Sequence, residues 1–502
     1  MAFADFHVHG NFKAFFTGYT VEEKKSPWES VDIWIDRFLF PTSNRVLSSQ
    51  SCFRQLYDGD LRLGVVPLYS TEHAFPSSLL LRAVDLFSKK ISGKLFKAIR
   101  KREITYWQQL EDCYLHLLRA KTDDMPGHEI VNFTRSFEDF VEGKMNIVLS
   151  MEGAHCFLDA DADVATPAGM DKIINRIRTY KKRDPATATP RIFILNLTHL
   201  TRAPFCNHAF GMKLINHDEF IPQGRAISPA GYRLLEEAMQ HDKEHYPMLI
   251  DVKHMSIESR REFYAFRRSH FPHIPITASH VGCTGISRDN ALDFIEIINA
   301  PVFNKRKCNL VTYRKPAGIL QGTEFNPWSI NLYDEDIVEI LASDGLIGLS
   351  LDQRILGCGD IAREKMSKAE TFTGIIPDRP ILGRDPNEKR PAKDADLHFR
   401  HFCNTLFHIV KVSERLVQPR VDPWTKVVIG SDFDGLIDAV DFCTNATEYK
   451  NIATWMAEQL PALAAEAGIS LPAPPEQLIS QLLYGNAQAF LEKYYAAGSF
   501  AV

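Results

Sequence analysis

The sequence has no long apolar run, no excess of basic residues and no closely spaced pair of cysteines. A membrane-spanning helix needs about 20 consecutive apolar residues, and the runs here are far shorter. Proteins that bind nucleic acid across their surface are basic, whereas this chain of 502 residues carries a net charge of −5. We therefore expect neither a membrane nor a nucleic acid among its partners.

Cysteine is sparse and unpatterned. The nine cysteines form no Cys-x-x-Cys pair, which excludes a zinc ribbon and a dithiol redox motif. Met1–Gly10 leads directly into a strand-like run that carries polar residues, unlike the apolar core of a signal peptide. Free thiols in a reducing compartment and the lack of a signal predict a cytoplasmic protein.

What the sequence does contain is an alternation of short apolar runs with longer helical patterns. The runs are rich in Ile, Val, Leu and Phe, as strands buried on both faces are. They are Phe3–His9, Leu61–Leu68, Asn146–Glu152, Ile192–His199, Met248–His254, Ile274–His280, Leu346–Leu351 and Val427–Asp432. The helical patterns are Ser77–Lys121, Pro229–His241, Ile257–Ser269, Asp334–Asp344, Asp396–Leu416, Tyr449–Gly468 and Pro475–Tyr495. This alternation predicts one α/β domain, a (β/α)8 TIM barrel that spans residues 1–502.

Two segments exceed what a minimal barrel needs. Residues 301–330 follow the sixth strand and contain a basic cluster, and residues 353–395 follow the seventh strand and are rich in glycine, proline and charge. Long insertions of this kind are often lids or binding loops. Because residues 353–395 leave the C-terminal end of a barrel strand, we predict that they form a lid. A solvated excursion at a contact between copies of the chain, in a homo-oligomer, is the alternative.

Residue types that bind metals stand repeatedly at the ends of the apolar runs. His7 and His9 share one face of a strand, about 7 Å apart along it, so both imidazoles could hold one ion. Other runs end in Glu152, His254, His280 and Asp432. The C-terminal ends of all barrel strands meet at one mouth, where we expect these side chains to converge.

Four histidines and two carboxylates exceed the ligands of one tetrahedral ion and fit two ions that hold a hydroxide between them. We predict that His7 and His9 hold one ion and that His254 and His280 hold the other. Glu152 would bridge the two ions because its oxygens can bind one each.

Two further residues need a role. Asp432 is expected to act as the general base, since an ionised carboxylate only accepts hydrogen bonds, with Asp434 behind it. In some binuclear sites a carbamylated lysine bridges the two ions, and Lys253 is a candidate for that role. Because Lys253 is adjacent to His254, we expect it on the opposite face of the strand, either solvated or paired.

The ordered motifs resemble the membrane dipeptidases (renal dipeptidase, peptidase family M19), a branch of the amidohydrolase superfamily. The matching segments are Ser150–His155, Asn196–His199, Ser228–Gly231, Leu249–Ser256, Ile276–His280, Ile429–Gly435 and Tyr484–Ala487. They span residues 3–495, with gaps at the two insertions.

This resemblance implies a barrel of the metal-dependent hydrolase type and two zinc ions per chain. The implied reaction is hydrolysis of an amide bond, typically of a dipeptide, by a metal-bridged hydroxide. His199 would polarise the scissile carbonyl, and Asp432 would meet the amine of the substrate or move protons. His155 would support the substrate from behind these groups.

The sequence departs from that family at two places. The first motif is His7-Val8-His9 where the family has His-x-Asp, which removes one negative charge from the site and could shift the pKa of a bound water. Ile330 stands where the family has an arginine that binds the carboxylate of the substrate. Arg288, Arg306 or Arg314 could replace that arginine, or the substrate carries no carboxylate there. We expect weak or no activity on simple L-dipeptides and better activity on an amide or ester with a neutral or bulky leaving side.

Three alternative functions stay open. An amidohydrolase acting on a non-peptide amide, a lactone or an ester would use the same metal centre. A PHP-type phosphoesterase also begins with Asp-x-His-x-His, but it usually closes with Asp-x-His, whereas this chain has Asp432-Phe433-Asp434. A non-catalytic scaffold would not need to retain every ligand position.

Overall fold

The structure is a computed structural model that describes residues 2–33, 46–77, 90–184, 186, 189–211, 217–299, 308–359, 363–370 and 394–500. The strands in these residues are β1 Phe3–Asp5, β2 Leu61–Tyr69, β3 Val131–Phe133, β4 Met145–Glu152, β5 Ile192–Asn196, β6 Leu249–Asp251, β7 Ile276–Val281, β8 Ile295–Asn299, β9 Cys308–Tyr313, β10 Leu346–Leu349, β11 Glu364–Ser367 and β12 Val427–Ile429. Eight of them pair in parallel in the order β1-β2-β4-β5-β6-β7-β10-β12 and curve into a nearly closed barrel.

Helices surround this barrel and make it a (β/α)8 fold, as predicted. They are α1 Phe12–Phe15, α2 Phe53–Asp58, α3 Gly93–Arg100, α4 Tyr106–Thr122, α5 Pro167–Thr179, α6 Pro229–Met239, α7 Ile257–His270, α8 Asp334–Ala342, α9 Gln353–Leu356, α10 Ala395–Leu416, α11 Tyr449–Glu466, α12 Pro475–Ser480 and α13 Asn486–Tyr494. None of the helices in the part of the chain described combines the length and apolarity that a bilayer crossing requires.

The first and last strands close the barrel through backbone hydrogen bonds just beyond their ends. Phe6 N donates to Ile429 O at 2.8 Å, and Asp432 N donates to His7 O at 2.9 Å. Each predicted apolar run overlaps one barrel strand, but several strands end earlier than the run. The predicted ligand His7 and the predicted general base Asp432 therefore lie on the short segments that follow β1 and β12.

The two insertions form one structure. Strands β8, β9 and β11 make an antiparallel sheet in which Val311 of the first insertion pairs with Glu364 of the second. Apolar side chains beside this sheet build a second core that includes Phe210, Trp328 and Ile330. Residues 301–307, 360–362 and 371–393 lie outside the described residues. That residues 353–395 form a lid therefore stays a prediction.

Some helix boundaries differ from expectation. The pattern Ser77–Lys121 contains two helices, α3 and α4, and residues 78–89 of it lie outside the described residues. Helix α5 was not predicted, although Thr166 caps it by accepting from Gly169 N and Pro167 opens it. All nine cysteines are buried and free, as expected.

Candidate metal centre

The five predicted ligands meet at the C-terminal mouth of the barrel around Glu152, the last residue of β4. Glu152 Oε1 lies 3.4 Å from His7 Nε2 and 3.3 Å from His254 Nε2, and Glu152 Oε2 lies 3.4 Å from His9 Nε2. His280 Nε2 is 4.0 Å from Glu152 Oε1 and 3.3 Å from His254 Nε2. All five side chains are buried.

These side chains form two overlapping groups whose ligand atoms lie within 4.8 Å of one another. One group is His7, His9 and Glu152, the other is Glu152, His254 and His280. His7 Nε2 and both ring nitrogens of His9 are buried with no hydrogen-bond partner in the described ranges. Buried imidazole nitrogens normally have a partner, which a cation beside Glu152 would supply. The donor set therefore fits metal ions that prefer nitrogen and oxygen ligands.

Asp432 lies across the centre from Glu152. Its Oδ1 is 3.4 Å from His9 Nε2, and its Oδ2 is 4.0 Å from His280 Nε2. Together with His7 and His280 it forms a third group of potential ligands. Its φ is +61°, which is uncommon for a residue with a side chain. A Cβ at Gly435 would lie 2.0 Å from Asp432 Oδ1, so only glycine leaves room for this carboxylate.

Two buried carboxylates hold the loops that carry the ligands. Asp5 accepts from His7 N at 3.1 Å, from Ser431 N at 3.0 Å and from the Tyr449 hydroxyl at 2.5 Å. Burial raises the pKa of Asp5 even though these donors oppose the shift. Because Asp5 binds backbone on both sides of the barrel seam, it fixes His7 relative to Asp432.

Asp251 does the same at the end of β6. It accepts from Lys253 N at 2.9 Å and from Ser279 N at 3.2 Å. Ser279 Oγ lies 2.8 Å from His280 Nδ1. Asp251 therefore ties the loop before His254 to the strand that carries His280.

The expectation for Lys253 was wrong. Strand β6 ends at Asp251 and His254 has a φ of +68°, so side chains no longer alternate there. Lys253 is 2% exposed and lines the same cavity as His254. Burial lowers its pKa to about 8, although the carboxylates of Asp432 and Asp352 oppose that shift. Lys253 is thus neither solvated nor on the far face of a strand.

His199 follows β5 and is held by Glu72, which was not predicted. His199 Nδ1 lies 2.6 Å from Glu72 Oε1, and His199 Nε2 lies 3.5 Å from Glu152 Oε1. Burial lowers the pKa of His199, but the carboxylates of Glu152 and Glu72 outweigh it and raise that pKa to about 9. Burial raises the pKa of Glu72, and His199 lowers it to about 2. Two carboxylates thus face the two ring nitrogens.

A cavity borders the candidate metal centre and is lined by both charged and apolar residues. Its charged residues include Glu72, Glu152, Lys253, Asp352, Arg354 and Asp432. Its apolar residues include Phe12, Phe75, Leu200, Ile330, Ile355 and Leu436. Ile330 therefore borders the site, as its alignment with the family's arginine implies.

The arginines considered as substitutes lie elsewhere or outside the described residues. Arg288 is not among the residues that line the cavity, and its Nε lies 3.4 Å from Glu335 Oε2. Arg314 donates to Asp293 O at 3.0 Å. Arg306 lies outside the described residues.

His155 is buried behind the centre rather than in the cavity lining. Its Nε2 lies 2.8 Å from Ser70 O, and its ring packs edge-on against Tyr106. Sequence reasoning also missed Asp352 and Arg354, which line the cavity. The signal that identified the ligands was present for both Glu72 and Asp352, since each follows the end of a barrel strand by three residues.

No family model and no curated protein matches the chain. Among solved structures, it is similar to a metallopeptidase from Rhodobacter sphaeroides liganded with a phosphinate mimic of the dipeptide L-Ala-D-Ala, with 12% identity over 99% of both chains and a TM-score of 0.52. A dipeptidase of metallopeptidase family M19 has 13% identity over 91% of this chain and 95% of its own, with a TM-score of 0.49. The probable dipeptidase PvdM from Pseudomonas aeruginosa has 15% identity over 88% of both chains, with a TM-score of 0.46. The first of these comparisons shows that the chain has the fold of a metallopeptidase barrel.

Proposed function

We propose that this protein is a binuclear, zinc-dependent hydrolase of amide bonds that resembles the dipeptidases. The observation that carries the proposal is the placement of Glu152 between two histidine pairs, with its carboxylate oxygens 3.3–4.0 Å from all four imidazole nitrogens. Four histidines are buried around one carboxylate, and several of their ring nitrogens have no hydrogen-bond partner in the described ranges. A purely structural core does not require such an arrangement.

His7 and His9 would hold one ion, His254 and His280 the other, and Glu152 both. When bound, the ions would supply a water molecule of lowered pKa and stabilise developing negative charge. The contribution of the chain is to fix these ligands through Asp5 and Asp251, which bind the backbone next to them. Such outer partners orient ligands and tune their basicity.

The remaining polar groups of the cavity would manage protons and the substrate. Asp432 lies within 4.0 Å of three of the predicted ligands and can take a proton from the attacking water and return it to the leaving amine. His199, held by Glu72, would present Nε2 to the scissile carbonyl. Both residues border the cavity, so a substrate can reach them.

A second candidate, hydrolysis of a non-peptide amide or an ester, is favoured by one observation. Ile330 borders the cavity and offers no donor where a dipeptide carboxylate would be bound by the family's arginine. The buried free thiols suit a reducing compartment, so we propose that the substrate is a cytoplasmic metabolite.

The test is metal analysis combined with a substrate panel. The purified protein should contain two zinc ions per chain, lose amidase activity on chelation and regain it with zinc. The panel should include amides, esters and an aryl phosphate, since faster turnover of the phosphate would favour a phosphoesterase. Metal-loaded protein without any hydrolytic activity would contradict the proposal.

A further inference from the structure

Lys253 has a buried charge without a hydrogen-bond partner. Its side chain is 2% exposed, and Nζ makes no hydrogen bond to any residue of the described segments. A buried ammonium without a partner costs several kcal/mol, so such groups are normally paired. Lys253 lines the same cavity as Asp432 and Asp352, so a ligand that enters the cavity can reach its ammonium.

Arg354, the arginine among the described residues that line the cavity, is already engaged. Arg354 Nε lies 3.0 Å and 3.1 Å from the two carboxylate oxygens of Asp352, and Arg354 Nη2 lies 2.6 Å from Oδ2. Arg354 Nη2 also donates to Leu436 O at 3.0 Å. Arg354 therefore neutralises Asp352, whereas Lys253 keeps free hydrogen-bonding capacity.

An apolar wall also borders the cavity. A Cβ on Gly211 would lie 2.8 Å from Ile330 Cδ1 and 3.0 Å from Leu200 Cδ2, so these side chains pack directly on the backbone there. Phe75 extends the same lining. These side chains offer no hydrogen-bond donor or acceptor, and a charged group placed against them would lose its hydration without compensation.

We propose that Lys253 binds an anionic group of the substrate, and that the substrate is a small amide with one anionic end and one apolar end. This inference rests on the proposed amidase function. A free dipeptide is charged at both ends, and neither charge gains a partner from Ile330 and Leu200. A substrate with a single carboxylate satisfies Lys253 and leaves an apolar group for that wall.

The experiment compares four amides of similar size on the zinc-loaded protein. They are N-butyrylalanine and N-propylsuccinamic acid, each with one carboxylate, N-butyrylalanine amide, which is uncharged, and alanylalanine, which is charged at both ends. We expect at least one monoanionic amide to be hydrolysed with a kcat/KM about tenfold or more above the uncharged amide, which corresponds to about 1.4 kcal/mol. Equal rates for the anionic and uncharged amides would overturn the proposal.

Variants assign this preference to Lys253. Lys253→Met should bring the ratio of kcat/KM between the anionic and the uncharged amide close to one, mainly through KM, whereas Lys253→Arg should keep most of it. Both kcat/KM values are measured on the same preparation and scale with the same zinc-loaded fraction. A partial loss of zinc therefore does not change their ratio. Lys181→Met is the matched control, because Lys181 is equally buried but bonds to Gln240 O on the outer helices. A preference that survives in Lys253→Met would overturn the assignment.

Ligand binding tests the anion site at Lys253 independently of the proposed amide hydrolysis. Butyrate is anionic and butyramide is its uncharged amide of the same size, and calorimetry on the zinc-loaded protein measures the binding of both. We expect butyrate to bind about tenfold more weakly to Lys253→Met than to the wild type, and butyramide to bind both alike. If no amide is hydrolysed but this difference is found, the anion site stands and the amidase function fails. Equal butyrate binding by the wild type and Lys253→Met refutes the anion site whatever the activity.

Discussion

Glu72 Oε1 accepts a hydrogen bond from His199 Nδ1 at 2.6 Å, and Glu72 is almost completely buried. The bond keeps a proton on Nδ1 and turns Nε2 towards Glu152 and the cavity. A histidine oriented in this way by a carboxylate is a common arrangement in catalytic sites, where the carboxylate fixes the tautomer and the ring plane.

Glu72→Gln should lower kcat by about 10–100-fold, the range for losing the partner that orients a site histidine, with little change in zinc content. Steady-state kinetics and elemental analysis on the same preparations measure both effects. Glu237→Gln is the control, since Glu237 pairs with Arg178 far from the barrel mouth. An unchanged kcat in Glu72→Gln would show that His199 needs no such support.

Glu152→Gln should remove more metal than any single histidine variant. The amide has one oxygen and so cannot give one to each of two ions, whereas loss of His9 or His254 weakens the ligand set of one group. Elemental analysis after dialysis against a weak chelator measures the difference. A variant that still binds close to two zinc ions per chain would contradict the bridging role of Glu152.

Asp432→Asn should keep most of the metal and lose turnover by about 10²–10⁴-fold, as expected for a missing acid–base group. The proximity of Asp432 to His7 and His280 makes the opposite result informative. Metal loss in step with activity would show that Asp432 is a ligand first. Because asparagine tolerates a positive φ, the left-handed backbone at this residue should survive the change.

Asp344→Asn should destabilise the protein in a manner that depends on pH. Burial raises the pKa of Asp344, but contacts with Lys426, Lys493 and the Tyr494 hydroxyl lower it to about 2. A lowered carboxyl pKa stabilises the folded state above the unfolded pKa of about 3.9, and this stability disappears as the pH falls towards the folded value. Because the Asp344 side chain is 36% exposed, solvent screens these contacts. We expect the substitution to lower the unfolding free energy by about 1 kcal/mol at pH 7.

Urea denaturation of the metal-free wild type and of Asp344→Asn, measured from pH 7 downwards, checks this expectation. The difference in unfolding free energy should stay constant to about pH 5 and shrink below pH 4. A difference that grows as the pH falls would have the wrong sign for a lowered pKa. Asp289→Asn provides a control, because Asp289 is exposed and forms no ion pair with the residues that the structure describes.

The barrel and the convergence of the proposed ligands could be predicted because parallel strands buried on both faces have continuous apolar sequences. Such runs end at the C-terminal mouth of the barrel, so the sequence alone could place His7, Glu152 and His280 there. The same reasoning failed for Lys253, because the rule of alternating faces holds only while a strand continues. A left-handed residue such as His254 cannot be read from a pattern of polar and apolar letters.

The pairing of the two insertions was beyond prediction for a different reason. Strand β11 has only four residues and pairs with a segment about fifty residues away, so its local sequence carries little information on its partner. Glu72 could have been found by extending the search three residues past β2. Its partner His199 ends a predicted run, and the resemblance gave it a role.

The bond from Ser431 N to Asp5 joins residues 426 positions apart, and the proposed metal centre depends on both sides of that seam. A chain emerging from the ribosome would hold His7 and His9 for most of its synthesis without the strand that completes their surroundings. The site should therefore form late, when the last strand docks on the first, and zinc should be acquired by the released chain. The same separation means that a fragment ending before residue 427 would keep all five proposed ligands and still lack the closed barrel that holds them in place.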